Sequence, residues 1–279
     1  MNFNPYAAPA TPWSGGRVSP YATVVLASNP GPMTLEGTNT WVLRAPDSDE
    51  VIVVDPGPDD SAHVHAVWAE ATRDSGRVLR VVLTHTHADH AGGAPEFSAL
   101  AGVEVEAVAY GTLSGGDTVS VQGIDVDVIA TPGHTPDSVS LHLRQDEAII
   151  TGDTVLGRGT TVVSHPEGRL DDYLDSIARL RALARSVPGG LTLYPAHAAP
   201  LPDADEILRV YEQHRAERLT QVRQAVASGL GYDADAVVAA CYSDAPPGVL
   251  RAARLSVLAQ FTYLQEVEGL TLDAPHRGT

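Results

Sequence analysis

Three histidines and an aspartate fall within six positions of the segment LTHTHADHAGG at 83–93: His85, His87, Asp89 and His90. Imidazole and carboxylate are the nitrogen and oxygen donors that zinc prefers, and neutral histidine is the commonest metal ligand. The run VLRVVLT at 78–84 is apolar and β-branched, as in a buried strand, and Gly92, Gly93 and Pro95 mark a turn beyond it. The cluster therefore occupies a strand-to-helix loop. Residues two apart at an extended strand end point the same way, so His85 and His87 can reach one ion. Asp89 and His90, where the chain bends into a helix, can reach a neighbouring position. The spacing suits two sites.

Two sites need further donors, and the chain offers three, each just past an apolar run. His134 sits in the Pro/Gly turn TPGHTPDS after IDVDVIA, Asp153 follows AIITG, and His197 follows LTLYP. Donors at the ends of four strands can converge along one edge of a packed sheet. The remaining histidines carry no such signal: His63 and His65 lie two apart on an expected helix, His142 alternates within a strand, and His165, His214 and His276 lack a donor cluster. Of these, His165 comes nearest to a role, through the short glycine-rich loop that links it to Asp153.

The elements that must position these donors read as strands at 21–27, 41–43, 51–54, 103–109, 117–130, 138–143, 148–151 and 191–195, with helices at 59–74 and 170–186. Strands in groups with helices between them predict two sheets covered by helices. Residues 1–17 read as a loose extension. After Pro202 the pattern turns helical, with charges between Ile207, Leu208, Tyr211 and Leu219. The chain has 279 residues, a formal charge of −17, eighteen arginines, no lysine and one cysteine, Cys241. An internal disulfide is excluded, and no run approaches the length of a membrane span. A cytoplasmic location is expected, with no membrane partner. So acidic a surface disfavours polyanions, although a local basic groove is compatible with it.

T-H-x-H-x-D-H at 84–90, G-H-T at 133–135, T-G-D-T at 151–154 and P-x-H at 195–197 resemble the metallo-β-lactamase superfamily in order and spacing. NPGPMTLEGTNTWVL at 29–43 and GDTVLGRGTTVV at 152–163 are similar to its lactamase-beta-2-like branch, as is the helical tail. The resemblance implies an α/β fold: a four-layer αββα sandwich over 1–204, and a small, mostly helical, winged-helix-like domain over 205–279. It implies that His85, His87 and His134 bind one metal, that Asp89, His90 and His197 bind a second, and that Asp153 bridges them. Two Zn2+ are expected, with iron or manganese as substitutes, generating a bridging hydroxide. Asp89 would orient that hydroxide or take a proton. The turn PAHAAP stands where the branch has a glycine-rich P-G-H-G, and Ala198 and Ala199 there would alter the entrance rather than the ligands. The bridging aspartate sets the chain apart from the true β-lactamases.

The expected activity is hydrolysis of a small ester, thioester or lactone. Three alternatives remain open: a single-stranded RNA endonuclease using Arg158, Arg169, Arg209, Arg215, Arg218 and Arg223; a mononuclear iron oxygenase; and a non-enzymatic partner-binding module with structural metals. Asn39 and Thr160, each in a branch-like segment beside a strand, are candidate substrate contacts, and ordinary turn chemistry is their alternative. Nothing in the sequence indicates an oligomeric state.

Overall fold

The computed structural model describes residues 11–243 and 247–270. Two sheets face each other. The first is ordered β1(Gly16–Arg17), β2(Ala22–Leu26), β3(Asn39–Leu43), β4(Glu50–Val54), β5(Arg77–Val82) and β6(Val105–Glu106). Its first four strands pair antiparallel and its last two pairings are parallel. The second is ordered β11(Thr192–Pro195), β10(Ala148–Gly152), β9(Val139–Leu143), β8(Ile124–Ala130) and β7(Thr118–Val121), antiparallel except where β10 meets β11.

Alternation along the strands explains the layering. Trp41, Leu43, Ile52 and Val54 point between the sheets, where the Trp41 and Tyr194 rings stack at 4.5 Å. Val42, Val51, Val53 and Val81 point outward onto the helices α1(Ser61–Ala71) and α3(Ala94–Ala101). On the far side, Ile149 and Leu193 pack against Tyr173, Ile177 and Leu180 of α4(Leu170–Ser186). A strand buried on both faces reads as continuous apolar sequence, which is why EVIVV and AIITG lack a polar alternation. Asp60 caps α1 by accepting from the Ala62 amide at 2.9 Å, and Asp171 and Asp172 sit in the first turn of α4, where the helix dipole favours them.

Several boundaries differ from expectation. The run at 117–130 is a hairpin, because Gly123 takes a φ of +78° and turns the chain between β7 and β8. The run at 103–109 shortens to β6. The supposed loose extension is tied down from Trp13 onward, with Gly16 and Arg17 paired to Val24 and Thr23; residues 1–10 lie outside the described residues.

The tail is helical: α5(Ala204–Ala225), α6(Ala234–Cys241) and α7(Leu250–Glu266). No strand begins after Pro195 among the described residues, so the wing implied by the resemblance is not seen there. Ile207, Leu208 and Tyr211 of α5 share the apolar cluster of α4, while Leu219, Val222, Val237, Val257 and Phe261 form a second cluster with Leu170. The tail thus packs onto the sandwich through α4 and α5, and α5 begins one residue before the expected 204/205 division. No helix among the described residues is long and apolar enough to cross a membrane.

Candidate metal centre

The donors meet where the two sheets end together. A short helix, α2(Ala88–Ala91), follows β5 and carries Asp89 and His90; His134, Asp153 and His197 follow β8, β10 and β11. The Val139 amide donates to the Thr84 carbonyl at 2.8 Å, fastening one sheet's end to the other. Gly133 takes a φ of +133°, and a Cβ there would lie 2.4 Å from the Tyr173 Cα, so only glycine lets the His134 turn pass against α4.

Three overlapping groups emerge, each with donor atoms within 4.8 Å of one another: His85, His87 and His134; His85, His90 and Asp153; Asp89, His90 and His197. All seven residues singled out in the sequence are brought together. His134 Nε2 lies 3.1 Å from His87 Nδ1. His197 Nε2 lies 3.4 Å from Asp89 Oδ2 and 3.2 Å from Asp153 Oδ1, and His90 Nε2 lies 3.6 Å from Asp153 Oδ1. The other oxygen, Asp153 Oδ2, lies 3.5 Å from His134 Nε2. Asp153 therefore offers one oxygen to each set.

The residues fit a bound cation. His85 Nε2, His90 Nε2, His197 Nε2 and Asp153 Oδ1 are buried without a hydrogen-bond partner, although a buried polar atom left unpaired costs about 1–3 kcal/mol. Ligand atoms about 2.0–2.1 Å from one tetrahedral ion stand roughly 3.3 Å apart, close to the separations found here. The opposite ring nitrogens are already engaged. Nδ1 of His134 faces the Val162 carbonyl at 2.8 Å, Nδ1 of His197 the Gly37 carbonyl at 3.1 Å, and Nδ1 of His90 the Asp55 carboxylate at 2.9 Å. Nδ1 of His85 faces Thr84 Oγ1 at 3.2 Å, a hydroxyl that itself donates to Asp55 at 2.7 Å. His87 is reversed: its Nε2 faces Glu167 at 3.4 Å and its Nδ1 turns inward. Each outer partner holds the proton on one nitrogen and leaves the other's lone pair aimed at the centre. Asp55 was missed as a functional residue. It is a fully buried carboxylate that anchors Thr84 and His90.

Burial and the nearby His90 hold His85 well below its ordinary pKa, and burial holds His134 down, so both imidazoles are neutral and able to bind metal. Burial opposes the charged form of His197 too, but Asp153 and Asp89 overcome it and push the ring up to about 10. Asp89 is lowered against its burial by the neighbouring His197 and His90, and Asp153 is held well below the carboxylate range against its burial by His197 and His90. A bound cation would take the place of the protons that these acids draw to His197 and His90.

A cavity of about 630 Å3 opens beside the centre, with His134 and Asp153 in its wall and the tail helices on its far side.

A model of the metallo-beta-lactamase superfamily matches residues 33–111 and 103–197, a span that contains all seven donors. The chain belongs to the metallo-β-lactamase superfamily. It is 29% identical over 251 residues to a "Beta-lactamase-like protein 2 homolog" of Caenorhabditis elegans, covering 85% of this chain and 81% of the relative. It is 32% identical over 214 residues to an "Atrochrysone carboxyl ACP thioesterase" of Aspergillus fumigatus, covering 74% of this chain and 64% of that one. A beta-lactamase domain protein from Burkholderia ambifaria superposes with a TM-score of 0.74 at 23% identity, over 96% of this chain and 94% of that chain, which shows the shared fold.

Within this metallo-β-lactamase frame the remaining sequence candidates divide. Asn39 is not among the residues that line the cavity. It is fully buried, its amide donates to the Pro195 and Ala198 carbonyls at 2.9 and 2.8 Å, and its oxygen accepts from the Trp13 indole at 2.8 Å. The amide nitrogen of Asn39 is spent on the turn carrying His197 and its oxygen on Trp13. Thr160 does line the cavity. So does His214, which the sequence gave no reason to select; the helical spacing that places it beside Arg215 and Arg218 was the available signal. His63 is buried and pairs with Thr40 at 2.8 Å, and His165 is exposed away from the cavity. Cys241 belongs to none of the donor groups, and His276 lies outside the described residues.

Proposed function

We propose that the chain is a metal-dependent hydrolase with two divalent cations, zinc in the first instance, that cleaves a small ester or thioester. Hydrolysis adds water across the acyl bond and releases a carboxylic acid together with an alcohol or thiol. The division of Asp153's two oxygens between two sets of inward-facing imidazoles carries this reading. His85, His87 and His134 would hold one cation, and Asp89, His90 and His197 the other. When bound, such a pair supplies Lewis acidity that brings the pKa of water towards neutral and polarises the acyl oxygen. Asp89, 28% exposed where Asp153 is 12%, stands at the edge of the cluster as the carboxylate to accept a proton from the attacking water. Thr160 lines the cavity wall, and its hydroxyl would donate to the substrate. Sandwich and tail form one catalytic unit in this reading, because both wall the cavity.

The cavity volume supports a small substrate over RNA. Of the six arginines that an RNA groove would use, Arg169, Arg209 and Arg223 are instead paired with Asp171, Glu206 and Glu268 at the surface. Elemental analysis of wild type and Asp153→Ala, with turnover on a panel of thioesters and esters, tests the proposal. Wild type should hold two ions per chain and the variant fewer, with turnover reduced at least tenfold. Two ions and full turnover in Asp153→Ala would refute the binuclear assignment, and iron as the bound metal would refute zinc.

A further inference from the structure

A chain with a formal charge of −17 lines this cavity with three arginines, Arg158, Arg215 and Arg218. Among the described residues the lone carboxylate in its wall is Asp153, which belongs to the metal centre. Arg158 is neutralised by Glu36 at 2.7 Å. The other two meet no carboxylate of the described residues. Arg215 is 9% exposed, lies over the Tyr173 ring at 4.8 Å and donates through Nη2 to the Thr161 carbonyl at 2.5 Å, while its buried Nε has no partner. Arg218, one turn further along α5, lies over the Tyr242 ring at 4.2 Å and donates to Gln221 and the Cys241 carbonyl. Removing a guanidinium from water without a counter-ion is costly, and aromatic faces and carbonyls offset that cost only in part. The wall of the cavity also carries the apolar Met33, Leu35, Leu156 and Val249.

We propose that Arg215 and Arg218 bind a carboxylate on the substrate, so that the acyl group carries a negative charge at the end remote from the scissile bond. This rests on the hydrolase reading for the other end of the same molecule. A carboxylate's two planar oxygens match the guanidinium fork, and a charge buried in a low-dielectric wall attracts its partner more strongly than one in water. The apolar wall encloses the hydrocarbon between the two ends. In this arrangement Arg215 also fixes the loop carrying Thr160 and Thr161, so carboxylate binding and substrate donation share one support. Arg218 is the specificity-determining residue that can be changed with less damage to that loop.

The test uses a matched pair: the adipyl thioester with a free carboxylate, and its neutral methyl ester. Wild type should favour the carboxylate at least tenfold in kcat/KM, mainly through KM, with the ratio falling as salt rises. Arg218→Gln should bring the ratio to about one, and Arg218→Lys should restore part of it. A wild-type ratio near one, or an unchanged ratio in Arg218→Gln, overturns the inference and leaves the hydrolase reading standing. Should Arg218→Gln not fold, a wild-type ratio independent of salt overturns it equally. Calorimetric binding of 4-phenylbutyrate to the protein with its metal in place separates the two claims. Binding weakened tenfold or more in the Arg218 variant upholds the carboxylate site even without turnover on any ester. Salt-sensitive cleavage of a single-stranded oligoribonucleotide, lost in the same variant, would assign the arginines to a phosphodiester backbone and overturn the proposal.

Discussion

Replacing Asp55 by asparagine changes one atom and tests how the second set of donors is held. Asp55 Oδ1 accepts the Thr84 amide at 2.7 Å, while Oδ2 accepts both the Thr84 hydroxyl at 2.7 Å and His90 Nδ1 at 2.9 Å. Asparagine supplies one oxygen. If its nitrogen takes the Oδ1 position, it opposes the Thr84 amide donor to donor. If it takes the Oδ2 position, His90 Nδ1 must become an acceptor and the ring proton moves to Nε2, the atom that faces Asp89 and Asp153. The second arrangement keeps more hydrogen bonds and so sets the outcome. Losing an outer partner of this kind lowers metal affinity about 10–100-fold, roughly 1.4–2.7 kcal/mol. Losing a hydrogen bond to a buried charged acceptor lowers stability by about 1.5–3 kcal/mol. Competition with a chromophoric chelator should therefore show one ion held as in wild type and one released 10–100-fold more readily, with a lowered urea midpoint. Wild-type affinity for both ions in Asp55→Asn would show that the His90 tautomer does not govern binding.

Asn39→Ala removes two donated and one accepted hydrogen bond around the His197 turn, at about 1 kcal/mol net each, so stability should fall by about 3 kcal/mol in urea unfolding. Unchanged unfolding with reduced turnover would return Asn39 to the substrate. His214 is depressed to about 4 by burial and by Arg215 and Arg218, below the 6.5 of an exposed histidine. As pH falls the unfolded chain takes up this proton first, so the stability His214 contributes stands above pH 6.5 and is lost on approach to pH 4. Wild type should accordingly lose stability relative to His214→Gln across that window, and parallel curves would contradict the assignment.

All seven donors were legible because each follows a strand, and strands are what apolar β-branched runs disclose. Spacing separates His85 and His87 from Asp89 and His90, but the allotment of His134, Asp153 and His197 between the two sets rested on resemblance, since it depends on which ring nitrogen turns inward. That choice is made by the Gly37 and Val162 carbonyls and by Asp55, all remote in sequence from the rings they face. Asn39 misled for a related reason. A polar residue at a strand start reads as a surface donor, and only the pairing of Asn39 N–H with the Ala196 carbonyl at 2.7 Å reveals that the strand begins beneath the His197 turn. The hairpin at Gly123 was hidden because Val121 and Ile124 keep the apolar character of the run across the turn. The cavity was not legible either. Its walls come from the loop at 156–162 and from helices that fold back over it, and periodicity reports a helix's apolar face without saying what that face covers.

The strand end supplying His85, His87, Asp89 and His90 belongs to one sheet, and the ends preceding His134, Asp153 and His197 belong to the other. Cations held between them would be a removable cross-link. Closing a covalent loop on the order of 100 residues restricts the unfolded chain by about 4–5 kcal/mol, and a metal tie from His90 to His197 draws on the same loop entropy, scaled by how firmly the ion is held. The chemistry and the cohesion of the two layers then answer to one equilibrium. Where such a metal is scarce, the sheets would part more readily at the edge where the donors meet, so metal supply would set the working lifetime of the molecule as well as its rate.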